Sequence, residues 1–254
     1  MRLSRLLARG SFCALVSLAA LGAGGCSSSS STPAGTTAKE QDPGFDPGAT
    51  ATAPPGGEGQ GTEVNPYGKP YPTKNLGYQP RSGTRPGSIM RNYKFLGWRD
   101  GDPSKGTTVI SLADFFDPEM REHKLITFSA GALWCPPCND EAKLLVPMAP
   151  RLKAKKVTII SAIIEGGKRG TGSTLEDLGI WQKRHDVNYT LFLDPDQRNL
   201  GQFFEAAAIP WNALIDARSM EILTSGVGVN LNELPNEFDR WAKWVDENPA
   251  QALQ

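Results

Sequence analysis

One short stretch restricts this chain more than any other: Leu133-Trp134-Cys135-Pro136-Pro137-Cys138-Asn139. Two cysteines three apart, separated by Pro-Pro and preceded by Trp, place a dithiol where a strand gives way to a helix. Upstream, Lys124 to Phe128 reads as a short buried strand, and downstream Glu141 to Val146 reads as an amphipathic helix. At such a junction the first thiol faces the unpaired N–H groups and positive end of the helix, which favours thiolate over thiol. The second cysteine lies one turn further in, within reach to form or open a disulfide. Such a pair can pass electrons to and from the disulfides of other proteins.

The rest of the composition narrows the reading of this pair. The 254-residue chain has four cysteines and two histidines. Cys13 and Cys26 fall within and at the end of a leader-like segment, so the body holds only Cys135 and Cys138. One close pair is no disulfide framework, and it cannot alone fill a four-ligand zinc site. Basic and acidic side chains number 27 each, which gives no general reason to expect nucleic acid as a partner.

Residues 1–25 have the form of an export signal. Arg2, Arg5 and Arg9 precede an apolar run from Phe12 to Leu21, too short to span a bilayer, and small residues follow. Removing this segment leaves 24 basic against 27 acidic side chains, a formal charge of −3. Residues 27 to about 65 are rich in Ser, Thr, Gly and Pro, with Phe45 the only aromatic, and cannot bury enough apolar surface to offset ordering. The expectation is a flexible tether whose ~40 residues reach roughly 35 Å. From Asn65 to Arg91 three tyrosines (67, 71 and 78) suggest an extended arm lying on the domain surface. The boundaries expected are a signal over 1–25, tether and arm over 26–87, and a folded domain over 88–250.

Within that domain, Tyr93–Trp98 and Thr107–Leu112 read as strands, and Ala113–Arg121 as a short helix. Lys156–Ile164 is a nearly continuous apolar run, as expected of a strand covered on both faces. Ser173 with Glu176 suggests a capping box that opens a helix to about His185. Tyr189–Leu193 is the next strand and Asn199–Ala207 the next helix. Asn212–Ile215 and Glu221–Thr224 form a hairpin, followed by an amphipathic helix over Leu234–Val245. Alternating strands and helices closed by a hairpin predict an α/β sandwich around a mixed sheet.

The order strand, Trp-Cys-Pro-Pro-Cys, helix, strand, helix, strand, helix, Ile-Pro, hairpin, helix resembles the thioredoxin fold over about residues 88–248. More narrowly, it resembles the extracytoplasmic TlpA/ResA type of thiol-disulfide oxidoreductase. The resemblance implies a thioredoxin-like three-layer sandwich, a central mixed sheet flanked by helices. It makes Cys135 the exposed nucleophile, Cys138 the resolving thiol and Pro210, after Ile209, the cis-proline facing the dithiol. Glu141 matches an acidic residue that assists proton transfer, although a carboxylate in the first helical turn also suits the helix dipole. Trp134, Pro136, Pro137, Ile209, Pro210 and Trp211 become the surface where substrate docks, with core packing the other reading of the tryptophans. No metal or organic cofactor is implied, because the Cys135–Cys138 disulfide is itself the redox group. Expected partners are disulfide-containing exported proteins and a membrane electron donor.

Ala23-Gly24-Gly25-Cys26 resembles a bacterial lipoprotein signal with Ala23 in place of the usual Leu. It implies a lipid on Cys26, and hence an extracytoplasmic protein anchored to a bacterial membrane, facing the periplasm. The thioredoxin pattern has departures as well. Thr127, Phe128 and Ser129 supply no buried acid ahead of the dithiol, and Phe128 to Cys135 is about two residues long, so Ala130-Gly131-Ala132 is expected to bulge. Trp211 replaces the threonine that follows the cis-proline in thioredoxin.

Two other functions use the same residues. A peroxiredoxin-like peroxidase shares the fold but needs Thr or Ser where Ala132 stands, three before Cys135. A copper(I) module would use both thiolates, with His123 or His185 as a third ligand. The stretch Gly166–Gly172 lacks the order of a phosphate-binding loop and reads as a solvated basic loop.

Overall fold

Residues 62–72, 84–205 and 208–248 are described by the computed structural model. The expected signal, Cys26 and nearly all of the tether lie outside them. Seven strands form one sheet: β1 Lys94–Trp98, β2 Thr108–Ser111, β3 Leu125–Ala132, β4 Val157–Glu165, β5 Thr190–Leu193, β6 Trp211–Asp216 and β7 Glu221–Val227. Their order across the sheet is β2-β1-β5-β4-β3-β6-β7. Pairs β3/β4 and β4/β5 are parallel, and the outer pairings are antiparallel. Among the described residues there are three α-helices: α1 Pro136–Ala154, α2 Leu175–His185 and α3 Leu234–Glu247. This is a thioredoxin-like α/β fold.

Strand β4 shows why its sequence is apolar throughout. Ile160, Ala162 and Ile164 enter a cluster on one sheet face, whereas Val157, Ile159 and Ile163 enter the cluster on the other. The second cluster takes the buried side chains of all three helices, among them Leu145, Leu152, Leu178, Trp181, Phe238 and Val245. The first face is covered differently from the expected helical layer. A 3-10 turn over Leu112–Phe115 stands where a helix over Ala113–Arg121 was expected. Turns replace the helix expected over Asn199–Ala207, with Ala206 and Ala207 outside the described residues. The Asp194 carboxylate accepts from the N–H groups of Asn199 and Leu200, at 3.0 and 2.9 Å, and the backbone is left-handed at Asp196 and Gln197, ahead of these turns. From the turns, Leu200, Phe203 and Phe204 pack onto the sheet.

The arm is more than a surface strip. Tyr71 is buried in the first cluster, edge-on to Phe116 at 5.9 Å, and its hydroxyl donates to Met90 O at 2.6 Å. Asn65 is buried too and donates to Phe116 O at 2.9 Å. The α2 cap is shifted by one residue from the expected box. Ser173 is buried and donates to Ile163 O at 2.6 Å, so Thr174 caps α2, with Asp177 as its reciprocal partner.

Candidate active site

The dithiol sits where β3 meets α1. β3 continues through Ala130, Gly131 and Ala132 to the turn, and its pairing with β4 slips between Gly131 and Ala132, where Ile164 is the extra residue. The irregularity expected here therefore lies across the ladder, with β4 carrying the added residue. Gly131 permits the close approach: a Cβ on it would meet Cys138 Cβ at 3.0 Å and Sγ at 3.2 Å. Cys135 is the N-cap of α1, and its sulfur accepts from the Cys138 N–H at 3.2 Å. Pro136 and Pro137 open the helix where their missing N–H groups are not needed. The sulfurs of Cys135 and Cys138 are joined, with Cα atoms 5.3 Å apart.

Cys135 is only 2 % exposed, against the exposed nucleophile implied by resemblance. Trp134 and Ile209 pack against the cluster that holds both sulfurs, and Cys135 Sγ lies 3.9 Å from Ile209 O. The Ile209–Pro210 peptide is cis. Pro136 and Pro137 are exposed, Trp134 and Ile209 half-buried, and Pro210 buried. Trp211 is the clearest correction. It is 1 % exposed and packed among Phe128, Phe203 and Phe204 at ring separations of 5.9, 5.0 and 5.7 Å, so it serves the core and is not part of a docking surface. The large apolar cluster on that sheet face takes the ring in.

Glu141 does not lie in the first turn of α1, so an interaction with the helix end is not its role. It is turned inward, 3 % exposed, and shares with Cys138, Ser129, Ser161 and Tyr189 a cavity of about 10 Å³. That is roughly the room one water molecule requires. Burial pushes the Glu141 carboxyl up to about 7, opposed by a hydrogen bond from Asn212 Nδ2 at 3.3 Å. Sequence reading found no acid on β3 ahead of the dithiol; the structure brings one from α1 into the space beneath Cys138.

Several side chains that sequence reading left without a role brace this site. Asn139 donates from Nδ2 to Cys135 O at 2.7 Å and to Leu133 O at 3.2 Å. Its Oδ1 accepts from Arg184 at 3.0 Å and faces His185 Nε2 at 2.9 Å. Trp134 donates from Nε1 to the buried Glu165 at 2.6 Å, and Arg169 lies 4.5 Å from the centre of its ring. The basic loop expected to be merely solvated thus reaches the active-site tryptophan. Only the position of Asn139, next to Cys138, hinted at any of this.

Residues 100–219 match the family described as AhpC/TSA. Over this segment, a little under half of the chain, the protein is similar to that family. No curated protein matches the chain. Solved structures that resemble it include AhpC from Enterococcus faecalis, at 14 % identity and a TM-score of 0.49, covering 68 % of this chain and 100 % of that one. The thioredoxin domain of a thiol-disulfide oxidoreductase from Bacteroides vulgatus aligns at 17 % identity and 0.46, covering 62 % and 97 %. A secreted thiol-disulfide isomerase from Corynebacterium glutamicum aligns at 17 % and 0.47, covering 62 % and 85 %. The AhpC/TSA match and the paired cysteines support a thiol-disulfide oxidoreductase as the class of enzyme.

Among the described residues, no three His, Cys, Asp or Glu side chains gather as a metal-binding set. His123 Nδ1 lies 2.7 Å from Thr158 Oγ1, and His185 is engaged with Asn139, so each histidine has a partner away from the sulfurs.

Proposed function

We propose that the protein is a membrane-anchored, extracytoplasmic thiol-disulfide oxidoreductase of the TlpA/ResA type, which reduces disulfides of exported proteins. The observation that carries this reading is the pairing of Cys135, capped by the Cys138 N–H, with a buried carboxyl that shares Cys138's cavity. Reduced Cys135 ionises at the helix start and attacks a substrate disulfide, forming a mixed disulfide and expelling one substrate thiolate. Cys138 then gives its proton to the Glu141 carboxylate, and its thiolate attacks Cys135 sulfur. The second substrate thiolate leaves, the substrate gains two electrons and two protons overall, and the enzyme is left with the Cys135–Cys138 disulfide. Because Cys135 is only 2 % exposed, an incoming disulfide must displace part of what covers it. A membrane-bound dithiol donor completes the cycle, and lipidation of Cys26 keeps the domain near it. Among the described residues no helix is long and apolar enough to cross a membrane.

The deciding measurement is the reduction potential of the pair, by redox-buffer equilibration and thiol trapping. A value near about −270 mV supports a reductase, whereas one near about −120 mV indicates disulfide formation. Cys135→Ser is expected to abolish turnover, and retained activity rules the mechanism out. The AhpC/TSA match supports a second reading, a peroxidase acting through Cys135. Against it, Ala132 places no hydroxyl where that chemistry needs one. Consumption of hydrogen peroxide faster than reduction of protein disulfides would favour the peroxidase.

A further inference from the structure

The surface around the dithiol carries charge that the exchange chemistry does not use. Beside Trp134 and Pro136 lies an open groove of about 380 Å³ that also takes in Asp140, Lys143 and Arg184. Asp140 is paired with Lys143 at 2.9 Å. Arg184 uses one guanidinium nitrogen to reach Leu133 O and Asn139 Oδ1, and among the described residues no carboxylate pairs with it. Arg169 lies over the Trp134 ring with Lys168 next to it, both exposed and both without an ion pair among the described residues. Two carboxylates on the elements that flank this loop are already engaged. Glu165 is buried and accepts from Trp134, and Asp177 is held by the α2 cap at Thr174. In a chain of zero formal charge, this rim is a local excess of cations.

We propose that the rim docks an acidic stretch of polypeptide flanking the substrate's disulfide, with Arg184 in the groove beside Trp134 and Arg169 over its ring, Lys168 next in the chain. The inference rests on the exchange reaction proposed above and names the substrate class for that site. Trp134 and Pro136 supply an apolar floor beside Cys135, and the cations around Trp134 select the residues that flank the substrate cysteine. Complementary charge of this kind acts mainly on the rate of encounter and weakens as salt screens it. An anionic membrane surface would meet the same cations. The groove favours a peptide because it adjoins the reacting sulfur.

The test uses the full chain, reduced with dithiothreitol and freed of it, and three disulfide peptides that differ only in having Glu, Gln or Lys beside the cysteines. The Glu peptide is expected to be reduced faster than the Lys peptide by about tenfold at low salt. The ratio is expected to fall towards one as sodium chloride is raised, and to fall several-fold in a Lys168→Gln, Arg169→Gln double variant. Equal rates for the three peptides, or a preference indifferent to salt, overturn the proposal. So does binding to vesicles of anionic phospholipid without any preference among the peptides. Failure to reduce even the Gln peptide defeats the exchange reaction itself, a different result. The salt series on the unaltered protein keeps the proposal open to refutation should the double variant not fold.

Discussion

Glu141 changes charge within the pH range where a thiol exchange enzyme works, because burial has moved its carboxyl from 4.5 up to about 7. Two consequences follow at the level of this residue. As a base for Cys138, it is expected to make the resolving step rise through pH 7 and level off above it; Glu141→Gln should flatten that rise in single-turnover assays. For stability the sign is opposite. A folded-state pKa above the unfolded value means that stability is fully present below about pH 4.5 and is lost as pH rises through about 7. The shift corresponds to about 3 kcal/mol. Denaturant titrations from pH 4 to 8 should show that decline in the native chain and a smaller one in Glu141→Gln. Gly131 is a second sensitive residue. Gly131→Ala presses a methyl onto Cys138, with an expected loss of about 1–3 kcal/mol and slower disulfide closure by thiol trapping.

At the level of elements, the β6–β7 hairpin carries the cis-proline segment and Asn212 to the dithiol. Its turn is closed by Asp216 and Arg218, joined at 2.6 Å and almost wholly buried. Removing one partner strands the other charge in the interior, so Asp216→Ala is expected to cost about 3–5 kcal/mol in urea unfolding. Asn139 links the loop before α1 to the last turn of α2. Its replacement by Ala releases Cys135 O from its side-chain donor, leaves Leu133 O with Arg184 alone, and is expected to lower the rate of attack by Cys135 more than it lowers Tm.

At the level of the whole molecule, the uneven dressing of the sheet matters most. Helices cover one face, while turns, a 3-10 segment and the arm cover the other. The arm is therefore part of the folded unit. Tyr71→Ala should cost about 3–5 kcal/mol, the range for losing a buried aromatic side chain, and should lower the Tm measured by calorimetry. A Tm unchanged by that substitution would mean that the arm is not a structural element of the domain.

The strand before Cys135, the helix after it and the fully apolar β4 were legible because each is written in local periodicity and in residues with a backbone preference, such as Pro136 and Pro137. The dithiol itself was legible because both cysteines lie on one short segment. Other features depended on parts of the chain far apart in sequence. Whether Trp211 faces substrate or core was decided by Phe203 and Phe204 folding down upon it from a segment that forms turns where a helix was expected. The buried acid near Cys138 comes from α1 and not from β3, and only packing could lower its exposure enough to raise its pKa. Arg169 and Arg184 meet around Trp134 from separate elements, because the sheet sets β4 and α2 beside the start of α1. Local chemistry thus fixed the reagent, and long-range packing decided its environment, since burial and charge proximity are properties of assembled elements.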